Sequence, residues 1–245
     1  MPTLRDAVRH LWRNIGFTLT AVLTLGIGIG LVATQFSLID GTFLRPLPFA
    51  EGERLYHITT QAIGDKNQRY EWMSFDEFAG LRAQQQSFDG FAAFVSETYN
   101  LVPAGGAPQR LWGSAVSGDF FPMLRVNPVL GRLFDPGADR PGQPLRAVIA
   151  YSLWRDVYAA DPQVIGQTIR LNGETATIIA VMPQSFGFPS SESVWVNLRA
   201  APAVAGVIPP PDVEVLGRLK PGLTTTSAAA ELDSAARHIW QSLGK

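Results

Sequence analysis

Cysteine is absent from all 245 residues of the chain, and histidine occurs only three times, at His10, His57 and His238. The lack of cysteine excludes disulfide bonds, zinc ribbons and thiol catalysis together. The histidines do not have the spacing of metal ligands, and the sequence contains neither an HExxH helix motif nor a GxSxG nucleophile elbow. The sequence therefore predicts no catalytic residue, no metal site and no cofactor of its own.

Two pairs of acidic residues are the remaining candidates for acid–base chemistry. Asp76 and Glu77 follow Ser74, and Ser74 with Glu77 three positions later has the order of a helix capping box. Glu231 and Asp233 lie on the polar side of a predicted helix. Because general acid–base catalysis needs carboxyl groups in unlike environments, neither pair indicates an enzyme.

Charge is scarce, and it is balanced. Only 17% of the residues are charged, the formal net charge is −1, and no basic cluster follows the first 13 residues. A nucleic-acid-binding protein needs a basic face to meet the phosphate backbone. The composition therefore argues against a nucleic-acid partner.

No charged residue occurs between positions 14 and 39, where Gly26, Gly28 and Gly30 alternate with apolar residues. A dinucleotide-binding loop needs a strand before its glycines and an acidic residue about 20 positions later, and this stretch does not fit that pattern. Roughly 20 apolar residues are enough to cross the hydrocarbon core of a membrane. We therefore predict a transmembrane helix over 14–39. Gly26 and Gly30 share one face and form a candidate helix–helix contact, although small residues without a partner explain them equally well.

The charges beside this run predict its orientation. Arg5, Arg9 and Arg13 precede it, whereas Asp40 is the first charged residue after it. The positive-inside rule then places the N-terminus in the cytoplasm and the chain after Asp40 outside. Residues 1–13 are either an amphipathic stub on the inner leaflet or an ordinary cytoplasmic segment. A cleaved signal peptide is the alternative, but its apolar region would be shorter and would end in a small-x-small site.

Residues 40–245 predict a mixed α+β domain with more strands than helices. Ser74 to Gln86 has the spacing of a capped helix, and Asn172-Gly173 between two strand-like runs is typical of a type I′ hairpin. The chain ends in a helix with one apolar stripe, for which we expect a partner. The stripe consists of Leu232, Ala235, Ala236, Ile239, Trp240 and Leu243.

Five stretches, in this order, resemble a known family. They are TLGIGIGLVATQFSLIDGTFLRPLPF, FDEFAGLRAQQQSFDGFAAF, SGDFFPMLRVNPVLGRLF, VIAYSLW and IGQTIRLNGETATIIAVMPQSFGFP. Together they resemble the N-terminal module of FtsX-like ABC transporter permeases with a MacB-like periplasmic core domain, in particular the orphan permeases whose module is duplicated. The resemblance implies a single-pass protein of the bacterial inner membrane with two periplasmic lobes. These are a porter-like lobe, about 45–102 and 212–245, and an inserted β-rich lobe, about 103–200.

The resemblance also implies a function and partners. Such modules pack as dimers or with another permease subunit, and a separate ATP-binding cassette subunit supplies ATP hydrolysis that moves the periplasmic domain during export, efflux or lipoprotein handling. Permeases of this family carry three further membrane helices after the periplasmic domain, which these 245 residues lack. We therefore expect an incomplete transporter, and two alternatives stay open: a truncated permease fragment and a standalone anchored binding or scaffold module.

Overall fold

The computed structural model describes residues 14–39, 49–61, 69–70, 72–103, 107–199 and 212–242. The chain divides into two compact units, Met1–Pro48 and Phe49–Lys245. Each unit is described by itself below. The predicted stub, residues 1–13, lies outside the described residues.

The described residues of the first unit form the helix α1, Ile15–Ile39. Two of its threonines satisfy their hydroxyl groups within the helix, since Thr20 Oγ1 donates to the Gly16 carbonyl and Thr24 Oγ1 to the Thr20 carbonyl. A helix is thus present where the uncharged run predicted one. Within the described part of the chain, no helix is both long and apolar enough to cross a membrane. The transmembrane span predicted over 14–39 is therefore not confirmed.

The second unit is a mixed α+β domain, as the sequence predicted. Its described residues form more strands than helices. In chain order they are β1 Leu55–Ile58, β2 Thr60–Gln61, β3 Arg69–Tyr70, β4 Trp72–Met73, α2 Phe75–Gln84, β5 Phe88–Val102, β6 Gln109–Val116, α3 Phe120–Leu124, β7 Leu130–Gly131, β8 Arg146–Ile149, α4 Tyr151–Val157, β9 Thr168–Leu171, β10 Glu174–Val181, β11 Val194–Asn197, β12 Val213–Leu219 and α5 Thr225–Ser242.

Ten of these strands form one sheet with the order β1-β12-β5-β6-β11-β8-β10-β7, to which β4 and β9 add at the sides. The strands β5, β6, β11, β8, β10 and β9 pair in a closed circuit, because β9 joins β10 on one side and β5 on the other. The 15-residue strand β5 also pairs with β12, so it belongs to both the circuit and the open part of the sheet. The lobe boundaries predicted from the sequence stay a prediction.

Both faces of the sheet are buried, and alternate residues of one strand contribute to different cores. On β5, Phe91 and Ala93 pack into the core beneath α2 and α5, whereas Ala92 and Phe94 pack into the second core with α3. This second core is rich in aromatic rings. It contains Phe49, Phe94, Phe120, Phe121, Phe134, Phe186 and Trp195.

Two local predictions are confirmed. Ser74 Oγ accepts a hydrogen bond from the Glu77 amide while the Glu77 carboxylate accepts one from the Ser74 amide, which is the capping box of α2. Asn172 and Gly173 have φ values of 50° and 86° and connect β9 to β10 with Leu171 paired to Glu174. Positive φ at both central residues is the conformation that a type I′ turn requires.

The best-buried members of the α5 stripe find the partner that we expected within the chain itself. Leu232 and Ile239 are 9% and 5% exposed and belong to the first core. Ile239 contacts α2 at Gly80, where a Cβ atom would stand 2.9 Å from Ile239 Cδ1. The glycine therefore lets the two helices approach, and α2 covers this part of the stripe. Leu243 lies outside the described residues.

Candidate functional site

The glycines predicted as a helix contact lie on an open surface of α1. Apart from the adjoining residues and backbone of α1 itself, no described atom lies within 4 Å of the position that a Cβ would take at Gly26 or at Gly30. Their packing against a second helix is therefore not tested by this single chain. Arg5, Arg9 and Arg13, which predicted the membrane orientation, lie outside the described residues.

Two of the four acidic residues considered for chemistry, Glu77 and Glu231, have structural partners. Besides its capping role, Glu77 accepts a hydrogen bond from Trp240 Nε1 at 2.9 Å. Glu231 accepts hydrogen bonds from the Ser87 hydroxyl and the Gln86 amide. Burial alone would raise the pKa of Glu231, but its hydrogen bonds from Ser87 and Gln86, together with the positive charge of Lys220, outweigh burial and lower the pKa. Among the described residues, no group of three or more His, Cys, Asp or Glu side chains is arranged to hold a metal ion.

The most unusual polar arrangement of the domain surrounds Arg218 on β12. Its side chain is buried, and 1% of the residue is exposed. Nε donates to the Met123 carbonyl at 2.7 Å, and Nη1 donates to the carbonyls of Ala50 and Glu51 at 2.9 and 2.8 Å. All three acceptors are neutral backbone groups. Nη2 is buried and finds no acceptor among the described residues.

Two further arginines surround Glu51, close to this buried guanidinium. Arg125 Nη1 donates to Glu51 Oε1 at 2.6 Å, and Arg54 Nη1 pairs with the other carboxylate oxygen. Arg54 also bonds Asp89 at 2.7 Å and the Leu219 carbonyl at 2.7 Å. We call Glu51, Arg54, Arg125 and Arg218 the arginine clamp. It joins the first segment of the domain, residues 49–54, to the end of β12 and to α3.

The electrostatics of the clamp follow from three guanidinium groups around one carboxylate, which only Arg54 and Arg125 contact. The hydrogen bond and charge of Arg125, together with those of Arg54, lower the pKa of Glu51 despite partial burial. Burial lowers the pKa of Arg218, and the positive charges of Arg125 and Arg54 act in the same direction. An arginine nevertheless stays protonated at physiological pH. The fold therefore holds a buried positive charge that forms no ion pair of its own among the described residues.

Two concave surfaces adjoin these elements. A cavity of about 380 Å³ lies beside the clamp, and charged side chains contribute much of its wall: Arg82, Asp89, Asp119, Arg125 and Arg218. A groove of about 700 Å³ lies between β1 and α5. Its walls combine polar residues with apolar ones, among them Tyr56 and Ile58 from β1 and Leu232 and Trp240 from α5. The cavity suits a charged ligand, whereas the groove suits an apolar segment.

The arginine clamp was not predicted from the sequence. Arg218 lies in the strand VEVLGRL, whose other residues are mostly apolar, and it is the one cation of that strand. A charged residue within a buried strand is a signal, because charges are almost never buried without partners. Its partners could not be found from the sequence, since Ala50 and Met123 lie 168 and 95 residues away along the chain.

The fold and the clamp define a mixed α+β domain whose first and last strands pair and whose first segment is fastened to β12 and to α3. Comparison with protein families then identifies it: the model of the MacB-like periplasmic core domain matches residues 18–235. The chain belongs to this family, which is the one its sequence stretches resemble. No curated protein is a significant match to the chain.

Three solved structures share the fold. The periplasmic region of MacB from Actinobacillus actinomycetemcomitans is 14% identical with a TM-score of 0.57, and the match covers 76% of this chain and 83% of that one. The extracellular domain of the noncanonic ABC-type transporter YknZ from Gram-positive bacteria is 10% identical with a TM-score of 0.52, covering 78% and 94%. A domain of a protein described as a permease, from Porphyromonas gingivalis, is 16% identical with a TM-score of 0.58, covering 78% and 86%.

Proposed function

We propose that this chain is a membrane-anchored module of an ABC-type permease, with the N-terminus in the cytoplasm and the domain after residue 49 on the outer side of a bacterial inner membrane. The family match supports an extracytoplasmic domain of a permease. The uncharged run over 14–39 and the arginines before it support the anchor and its orientation. In this proposal the chain is not an enzyme and binds no cofactor, and a separate ATP-binding cassette subunit hydrolyses ATP.

The module couples movement of the membrane complex to substrate handling outside, and the arginine clamp is the observation that carries this step. Residues 49–54 follow the membrane segment in the chain. Arg218 and Arg54 tie them to β12, and Arg125 ties them through Glu51 to α3. β12 pairs with β1 and β5 at the centre of the open sheet. A displacement of residues 49–54 thus moves the sheet as one body instead of bending a loose linker.

A second candidate function is an anchored binding or scaffold module without transport. The groove between β1 and α5 favours it, because a recess of about 700 Å³ is of the size that holds a ligand or a partner segment. In this alternative, nucleotide hydrolysis by a neighbouring subunit has no effect on the domain.

Thiol labelling separates the two functions, since the chain has no cysteine of its own. Ala229→Cys places one thiol on the exposed face of α5 at the groove. The tagged full chain is purified from membranes with its bound subunits, and the labelling rate is measured with and without ATP and vanadate. Coupling predicts a nucleotide-dependent rate that Arg54→Gln abolishes and the exposed control Arg155→Gln retains. A labelling rate that is the same with and without nucleotide would contradict coupling and favour the scaffold function.

The proposed dimer contact through α1 has a matched control on the same helix. Gly26 and Gly30 share one face, whereas Gly28 is rotated by about 200° from Gly26. Cysteine at position 26 or 30 should give disulfide-linked dimers in membranes, and cysteine at position 28 should not. Replacing Gly26 and Gly30 together with leucine should weaken self-association, with Gly28→Leu as the control. Equal cross-linking from all three positions would contradict a contact through this face.

A further inference from the structure

We propose that the cavity beside the arginine clamp binds a carboxylate group, with Arg125 as its hydrogen-bond donor and Arg218 as a second positive charge in the wall. The cavity measures about 380 Å³, and three arginines from three separate elements reach its wall: Arg82, Arg125 and Arg218. This proposal goes beyond the coupling function and does not depend on it, because it concerns only what occupies the cavity.

The buried guanidinium of Arg218 is the first reason. A charge removed from water is destabilising by several kilocalories per mole unless a counter-charge compensates it. Arg218 donates only to neutral carbonyls, and its Nη2 has no acceptor among the described residues. Nη2 itself is enclosed, but the side chain lines the cavity, so a bound anion supplies the counter-charge that Arg218 lacks.

The sharing of Glu51 is the second reason. Glu51 is the carboxylate that Arg125 contacts, but Arg54 binds it too. Arg125 therefore shares its partner, and its side chain is 41% exposed at the edge of the cavity. A carboxylate from outside reaches this guanidinium without displacing a buried ion pair.

The acidic residues of the wall set the charge of the ligand. Asp89 is held by Arg54 at 2.7 Å, and Asp119 lies 3.6 Å from Arg82, which also binds the buried Asp139 at 2.7 Å. Each acid is thus partly neutralised, but it still repels negative charge. The wall therefore favours a singly charged carboxylate over a doubly charged phosphate. A free organic acid and the C-terminus of a peptide share this chemistry.

The test measures thermal unfolding of the full chain in detergent at constant ionic strength, against increasing concentrations of small probes. Acetate represents a free acid, N-acetylglycine a peptide terminus, and N-acetylglycinamide its neutral analogue; inorganic phosphate represents the doubly charged anion. We expect saturable stabilisation by one or both carboxylates and none by the amide. If acetate stabilises the chain at lower concentration than N-acetylglycine, the ligand is a free organic acid; the reverse order identifies a peptide C-terminus. Equal effects of N-acetylglycine and its amide would overturn the proposal.

Two variants with opposite expected effects separate binding from structure. Arg125→Gln removes a charge-assisted hydrogen bond and should lower the affinity for the carboxylate probe about tenfold. Glu51→Gln removes the carboxylate that competes for Arg125 and should raise the affinity for the probe. Arg155→Gln, an exposed arginine that pairs with its neighbour Asp156, is the matched control and should have no effect. Affinities that are unchanged in Arg125→Gln, or weakened in both clamp variants, would show that no carboxylate binds between these arginines.

Discussion

Replacing Ile239 with alanine tests whether α5 is part of the core or a helix that awaits a partner. Ile239 is 5% exposed and packs against Gly80 of α2. Truncating a buried isoleucine to alanine removes its transfer free energy and leaves a cavity, which together cost about 2–5 kcal/mol. Because Ile239 lies within the last turn of α5, where the helix can relax, we expect a loss of about 2–3 kcal/mol in the free energy of unfolding.

The assay is unfolding of the full chain, followed by the fluorescence of its six tryptophans. A loss of this size lowers the midpoint by roughly 5–10 °C for a domain of about 200 residues. The neighbouring His238 is exposed, so His238→Ala is the matched control and should change stability by less than about 0.5 kcal/mol. If Ile239→Ala is no more destabilising than His238→Ala, α5 does not pack on α2 and the stripe does need a separate partner.

A double-mutant cycle sharpens this test. A Cβ at Gly80 would stand 2.9 Å from Ile239 Cδ1, so Gly80→Ala alone combines better helix propensity with a steric conflict. When Ile239 is alanine the conflict is gone, and the propensity gain of up to about 1 kcal/mol should appear. Additive effects would mean that the two side chains do not meet.

Three other substitutions test local features, each by its free energy of unfolding. Gly113→Ala brings a Cβ to 2.5 Å from the Val194 carbonyl oxygen, and a backbone conflict between β6 and β11 should cost about 3 kcal/mol or more. Gly173→Ala has free space but a φ of 86°, so only about 1–2 kcal/mol is expected. Glu231→Gln weakens the hydrogen bonds to Ser87 and Gln86, at about 1 kcal/mol. Since the pKa of Glu231 is lowered in the fold, this contribution is present above its ordinary value of 4.5 and disappears as pH falls through the lowered pKa. A difference between wild type and Glu231→Gln that persists in strong acid would contradict this assignment.

Local features of the fold were predictable because a few neighbouring residues determine them. The capping box at Ser74 and the turn at Asn172-Gly173 follow from hydrogen-bonding groups and positive φ values within four residues of chain. The family was recognisable for a similar reason, since its marks are short stretches in a fixed order. None of these features depends on how distant segments meet.

The arginine clamp and the role of the α5 stripe were not predictable, since both depend on distant segments. The spacing of Leu232 and Ile239 identifies an apolar face but does not say what covers it, and Gly80 gives no sign in the sequence that it receives Ile239. The same holds for Arg218, whose acceptors are backbone carbonyls. A carbonyl group is present in every residue, so no residue type marks such a partner.

The pairing of the first strand with the last has a consequence for how the domain is made. Arg54 and Leu219, which are hydrogen-bonded in the finished domain, are 165 residues apart in the chain. During synthesis, the edge of β1 that pairs with β12 therefore stays unpaired until β12 has been made. The same holds for the edge of β5 that pairs with β12. Contacts of such long range form slowly, and unpaired edges aggregate. Nearly the whole chain must accordingly be synthesised before the sheet is complete.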